Sequence, residues 1–273
     1  MMPPVEIPLW PDEIPLRVPD LGPEQTEFIA GPPPNRHIRN IAKPTLTIFP
    51  AASSLAALVC PGGGYQFVSF DKEGLDVARW LQERGISGAA LKYRLPAPGT
   101  VADGHLTSLV DAQRAMQLLR ERTTGQVGII GFSAGGHLAA CVSNWPAIQA
   151  GRISCRPDFS VLIYPVISAV VSMQSGSRGN LLGPDAPDAA FAEFSCERRV
   201  TAQTPPTFLV HARDDGTVPF ANSEMYAAAC RQAGVPVELH LYDHGGHGFG
   251  LGVNGGEVAG WPARLEKFLD RFR

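Results

Sequence analysis

The chain has 273 residues and a formal net charge of -3, with 44% hydrophobic and only 18% charged residues. Its 29 glycines and 25 prolines stay below the roughly 25–30% level of low-complexity segments, and the apolar content argues against disorder. No Gly-X-Y period signals collagen, no apolar run nears the ~20 residues of a membrane span, and an acidic balance without a Lys/Arg cluster disfavours nucleic acid as a partner.

The opening Met1-Met2-Pro3-Pro4-Val5-Glu6 has no basic n-region and no apolar h-region, so the chain as given reads as cytoplasmic. Five cysteines (Cys60, Cys141, Cys155, Cys196, Cys230) form no CxxC pair. They read as free, buried thiols in a reducing compartment, not as a zinc or redox motif.

Eleven of the 25 prolines fall within residues 1–44, a spacing that blocks helices and central strands. That stretch is expected to be an extended arm over the body, anchored by Leu9, Trp10, Ile14 and Leu16; a loose tail is the alternative. Strands are then predicted at 45–49 and 55–60, a helix at 74–83, a strand at 88–93 and a helix at 106–122. A strand at 127–130 leads into a helix at 134–143. Strands follow at 161–164 and 208–211, a helix at 222–233 ended by Gly234, a strand at 237–242, and a last helix from Pro262 with Leu265, Phe268, Leu269 and Phe272 on one stripe. Short apolar strands alternating with amphipathic helices imply an α/β fold, a mostly parallel sheet with helices on both faces. Residues 172–206, rich in Gly, Ser, Pro and Asp, are expected to be a lid or small helical cap, given Leu181, Leu182, Phe191 and Phe194.

The segment Gly131-Phe132-Ser133-Ala134-Gly135-Gly136 sits between a strand and a helix, the context in which G-x-S-x-G forms a nucleophile elbow. A serine hydroxyl needs a base, and in this arrangement Asp/Glu and then His follow along the chain. Asp214-Asp215 follows the strand at 208–211, and His244-Gly245-Gly246-His247 follows the strand at 237–242. Asp215 is favoured over Asp214 from its place three residues before Val218, with Asp214 shaping the turn. His247 is favoured over His244 because Gly246 and Gly248 let the loop approach Ser133. The two histidines as a metal pair lack a nearby third ligand. Pro61-Gly62-Gly63-Gly64-Tyr65 follows the strand at 55–60, where an oxyanion loop belongs; the candidate donors are the N–H groups of Gly63, Gly64 and Ala134. A phosphate-loop reading lacks the Gly-Lys-Ser/Thr that would follow. Tyr65 adjoins the loop and is a candidate substrate contact, with packing as its alternative. His137 is expected to pack or cap locally, Tyr93 and Arg94 to hold a buried hydrogen-bond network, and Asp111 to anchor its helix to the sheet.

Together with Lys92-Tyr93-Arg94-Leu95, Asp111-Ala112-Gln113-Arg114-Ala115, Gly246-His247-Gly248-Phe249 and the opening Ile7-Pro8-Leu9-Trp10-Pro11, these motifs resemble the α/β-hydrolase superfamily. Within it they are similar to the bacterial acetyl-esterase and acetylxylan-esterase-like branch, near the hormone-sensitive-lipase type. One departure is Pro61, where that family's oxyanion motif often begins with His. The resemblance implies one α/β-hydrolase domain over residues 1–273. It also implies a serine esterase without metal or cofactor, acting on short acyl esters, acetyl above all, on small molecules or acetylated saccharides. The same residues could serve an amidase, a formamidase or a peptidase, although no propeller domain of the prolyl-peptidase kind is present. A non-catalytic binding protein would be expected to have lost a member of Ser133, Asp215 and His247.

Overall fold

Runs of small and branched apolar residues build the centre of the molecule. The computed structural model describes residues 1–18, 21–99, 102–149, 153–170 and 175–273. Its strands are β1 (Val5–Pro8), β2 (Gln25–Ile29), β3 (Asn35–Arg39), β4 (Thr45–Phe49), β5 (Ala56–Cys60), β6 (Val68–Ser69), β7 (Ser87–Lys92), β8 (Val127–Phe132), β9 (Ser160–Ile163), β10 (Thr207–Ala212) and β11 (Val237–Tyr242). The helices are α1 (Asp76–Glu83), α2 (Thr107–Arg120), α3 (Ala134–Asn144), α4 (Ser175–Leu182), α5 (Asp188–Glu193), α6 (Ala221–Gln232) and α7 (Trp261–Leu269).

Eight strands form one sheet in the order β1-β4-β7-β5-β8-β9-β10-β11. The β1–β4 and β4–β7 pairs are antiparallel, and every pair from β7 to β11 is parallel. All residues of β5, β8 and β10 are buried, which requires cover on both faces and explains why their sequences are almost wholly apolar or small, with Thr207 and His211 of β10 the exceptions. This is the α/β-hydrolase fold that the motifs implied.

The proline-rich arm does more than lie over the body. Its first strand, β1, adds to the edge of the main sheet against β4, where a missing proline N–H costs no ladder bond. Strands β2 and β3 join β6 in a separate antiparallel sheet. Leu9 is fully buried, Trp10 is half-buried and donates its indole N–H to Asp111 Oδ1 at 2.8 Å, and Ile14 and Leu16 are half-buried. Arg94 donates to the carbonyls of Pro15 and Leu16 at 2.7 and 3.2 Å and grips Asp111 with Nε and Nη2 at 2.9 and 2.7 Å. The buried Arg94–Asp111 pair thus fastens the arm as well as α2.

The helix expected at 74–83 begins differently. Residues Asp71–Leu75 form a π-helical turn before α1, the kind of widened turn that proteins place at functional sites. Of the segment 172–206, residues 172–174 lie outside the described residues. The remainder contains α4, α5 and a 3-10 turn at Cys196–Arg199, with Leu181, Phe191 and Phe194 buried.

All five cysteines are free and buried. Cys141 and Cys196, far apart in sequence, bring their Sγ atoms within 3.5 Å beside His137. No helix among the described residues is long and apolar enough to cross a membrane.

Candidate active site

The turn between β8 and α3 holds Ser133 at φ 52°, ψ -119°, a strained conformation for a residue with a side chain. It is possible only because the flanking glycines let backbones touch. A Cβ on Gly131 would sit 2.2 Å from the Gly135 carbonyl, and one on Gly135 would sit 2.2 Å from the Cys60 carbonyl. The Ser133 backbone is pinned as well: its N–H donates to Ile163 O at 3.0 Å and its carbonyl accepts from the amides of His137 and Val166.

The loop after β11 brings His247 to this serine. His247 Nε2 lies 2.9 Å from Ser133 Oγ, and Nδ1 lies 2.7 Å from Asp215 Oδ2. With Asp215 accepting at Nδ1, Nε2 is the nitrogen free to accept the serine proton. Asp215 Oδ1 takes the amides of Thr217 and Val218, both at 2.8 Å. Burial acts to raise the Asp215 carboxyl, but hydrogen bonds from His211 and His247, the nearby imidazole and the Val218 amide outweigh it. The group is held well below the usual carboxylate range, so Asp215 stays ionised.

Asp214, the rejected neighbour, has its own task. Its Oδ1 accepts the amides of Gly245 and Gly246 at 2.9 and 2.8 Å, which shapes the loop that carries His247. His244 is exposed, with its Nδ1 3.6 Å from Asp214 Oδ2, while the two ring nitrogens of His247 face Ser133 and Asp215.

The glycine loop after β5 is fixed carbonyl by carbonyl. Gly62 O accepts from Ser69 N at 3.0 Å, Gly63 O accepts from the amides of Gln66 and Phe67, and Gly64 O accepts from Asn180 Nδ2 at 3.0 Å. In a trans peptide the carbonyl and the next N–H point opposite ways, so holding these carbonyls sets where the following amides point. The N–H groups of Gly63 and Gly64 have no hydrogen-bond partner among the described residues, and neither does that of Ala134 at the first position of α3. Gly63 adopts φ +128°, and a Cβ there would meet the Phe67 carbonyl at 2.1 Å.

Ser133, His247, Gly63 and Gly64 share a cavity of about 700 Å³. Its far wall is Ile29 and Pro33 from the β2–β3 hairpin, and α4 supplies Ser177 and Asn180. The arm and the segment between β9 and β10 therefore both reach the site.

For Tyr65, of its two readings, the structure shows the packed one. Its side chain is buried at 4% exposure, and its hydroxyl lies 2.8 Å from His137 Nδ1. The left-handed φ of 58° turns the chain so that the ring packs inward, and Tyr65 is not part of the cavity wall. His137 gives its second nitrogen to the Phe194 carbonyl at 2.7 Å, so it binds the segment after α5 to the helix that follows Ser133.

Three residues near the centre carried no role in the sequence reading. His211 Nε2 lies 3.2 Å from Asp215 Oδ2 and 2.9 Å from Val218 O, with Ser223 Oγ at its Nδ1. The ring of Tyr164 lies 4.8 Å from that of His247, and the Glu73 carboxylate borders the cavity. A polar residue at the end of an apolar strand was the available signal for His211 and Tyr164, and an acid inside a half-apolar turn was the signal for Glu73.

A parallel sheet, a strained serine at the end of a central strand, and an acid and a histidine on the two following strand ends define an α/β hydrolase. The prolyl oligopeptidase family model matches residues 82–272, and the chain belongs to that family. A solved structure, the acetyl ester-xyloside bifunctional hydrolase of Caldicellulosiruptor lactoaceticus, is 34% identical. It aligns over 98% of this chain and 96% of its own with a TM-score of 0.81. The acetylxylan esterase of Xylanibacter ruminicola is 34% identical over 74% of this chain and 42% of its own length. The endo-1,4-beta-xylanase B of Butyrivibrio fibrisolvens is 31% identical over 75% of this chain and 34% of its own. The chain thus spans less than half the length of these two curated relatives.

Proposed function

We propose that this chain is a serine esterase that removes short acyl groups, acetyl above all, from small esters or acetylated sugars and xylan fragments. The observation that carries this reading is the continuous run of hydrogen bonds from Ser133 through His247 to Asp215, at 2.9 and 2.7 Å, opening into the cavity. The similarity to an acetylxylan esterase and to an acetyl ester-xyloside hydrolase supports the substrate class.

In the reaction, Ser133 Oγ attacks the ester carbonyl carbon as its proton passes to His247 Nε2. The oxyanion lies against the free amides of Gly63, Gly64 and Ala134; each such donor is worth about 3–4 kcal/mol in the transition state. Asp215 holds the imidazole in place and stabilises its positive charge. The tetrahedral adduct collapses, and the alcohol leaves with the proton from His247. Water then attacks the acyl-serine, gives its proton to His247, and the acid departs as that proton returns to Ser133 Oγ. Residues 175–206 act as a cap, with Ser177 and Asn180 bounding the pocket for the ester.

Ser133→Ala tests this. The variant should fold, lose turnover of p-nitrophenyl acetate and acetylated xylooligosaccharides, and take no fluorophosphonate label. Turnover undiminished in a clean preparation would end the proposal.

A further inference from the structure

Between the oxyanion loop and the His247 loop lies a buried carboxylate that the steps above do not use. Glu73 is 5% exposed and sits on the π-helical turn ahead of α1. Among the described residues it forms no ion pair; hydrogen bonds alone satisfy it. Its Oε2 accepts the Gly62 N–H at 2.8 Å, and its Oε1 accepts the Tyr164 hydroxyl at 2.8 Å. The Tyr164 oxygen in turn accepts the Gly250 N–H at 3.0 Å. Burial and the Glu73 carboxylate push the Tyr164 phenol up, so it keeps its proton and donates.

Each link ends on a backbone group that matters. Gly62 N–H and Pro61 C=O belong to one peptide unit, and Tyr93 donates its hydroxyl to that carbonyl at 2.8 Å. Glu73 and Tyr93 therefore clamp a single peptide plane from both ends, one residue ahead of the free amides of Gly63 and Gly64. Gly62 is itself wedged: a Cβ there would fall 2.7 Å from Glu73 Oε2 and 2.9 Å from Ser133 Cβ. At the other end, Gly250 closes the loop that carries His247, and the Tyr164 ring packs beside the imidazole. An ionisable side chain buried only to fill space is costly; an apolar residue would fill the space at less cost, and it could not hold two loops at once.

We propose that Glu73 is a positioning residue that locks the oxyanion amides and the His247 loop into one register, directly through Gly62 and through Tyr164 to Gly250. The role concerns alignment for the transition state, not substrate binding, and it rests on the esterase reading of Ser133 and His247. Misplacement of reacting groups by about 1 Å is enough to cost about 100-fold in rate.

Three variants test it. Glu73→Gln keeps the shape and one of the two links. Tyr164→Phe keeps the ring against His247 and removes only the hydroxyl. Glu73→Ala removes both links. With p-nitrophenyl acetate, kcat should fall about tenfold in the first two and about 100-fold in the third, with KM moving less than about threefold. Fluorophosphonate labelling should slow in parallel. A boronic acid that mimics the tetrahedral adduct should lose affinity by a similar factor, because it reports transition-state alignment. Melting temperatures of Glu73→Gln and Tyr164→Phe should stay within a few degrees of wild type. If Glu73→Ala does not fold, the other two decide. Rates within about twofold of wild type, or a raised KM at unchanged kcat, would overturn the proposal. A wild-type protein that hydrolyses no ester defeats the esterase reading instead. Labelling and boronate affinity then decide alone, and equal values in wild type and variants overturn the role of Glu73.

Discussion

Asp215 Oδ2 stands 2.7 Å from His247 Nδ1, while Asp214, one residue earlier, reaches past it to the amides of Gly245 and Gly246. Two adjacent acids thus serve one histidine in different ways, one by holding the ring and the other by shaping its loop. Asp215→Asn should lower kcat by about 10⁴-fold, as expected when the histidine loses its tautomer control. Asp214→Asn should cost about tenfold or less, since an amide oxygen can still accept from the loop. Steady-state kinetics on both variants checks this, and equal losses would mean that the two roles are misassigned.

The depressed Asp215 carboxyl also makes stability depend on pH, in a fixed direction. An aspartate in the unfolded chain titrates near about pH 3.9, and in the folded protein this one titrates lower. Between the two values the unfolded chain binds more protons, so the contribution is complete above about pH 4 and is lost as pH falls toward the folded value. The urea midpoint of wild type should therefore exceed that of Asp215→Asn by the widest margin near neutrality. The margin should narrow on acidification below about pH 4; a constant gap would contradict the linkage.

Tyr65 lies beside the oxyanion loop in sequence but outside the cavity in space. Tyr65→Phe keeps the ring and leaves the buried His137 Nδ1 with only the weak Cys141 thiol, 3.8 Å away, in place of a hydroxyl at 2.8 Å. Stability should drop by about 1–3 kcal/mol with KM unchanged for acetyl and longer acyl esters. A changed acyl preference in this variant would return Tyr65 to the substrate.

The Arg94–Asp111 pair is 3% and 0% exposed at its side chains and carries Trp10, Pro15 and Leu16 of the arm. Asp111→Ala strands a buried guanidinium, a loss of about 3–5 kcal/mol. Chemical denaturation should register that loss, and limited proteolysis should cut within residues 1–44 sooner than in wild type. An unchanged cleavage pattern would separate the pair from the arm.

The centre of the site was legible because its signals are local. A strand, two glycines and a helix around Ser133 are contiguous in sequence, and Asp215 and His247 each follow an apolar strand by a few residues. The supporting shell was not legible, because its partners are remote: Glu73 and Tyr164 are 91 residues apart, and no periodicity announces that they meet. Of the two readings of Tyr65, the structure shows packing, for the same reason of remoteness: its hydroxyl partner, His137, lies 72 residues away. In the arm, proline spacing argued against central strands, yet β3 lies between Pro34 and Pro44 and is the middle strand of the small sheet, paired with β2 on one side and β6 on the other; its five residues contain no proline, so the ladder bonds on both sides survive.

The outermost strand, β1, has a bearing on behaviour in bulk solution. A long sheet that ends in a bare edge offers its unpaired amides and carbonyls to any other chain, which is a route to aggregation. Here the last strand is only four residues long, mostly exposed, preceded by Pro3 and Pro4 and closed by Pro8. Few of its amides remain to continue the ladder, so an incoming strand finds little to pair with. The prolines at the beginning of the chain thus influence how concentrated a solution of this protein can become before it turns cloudy.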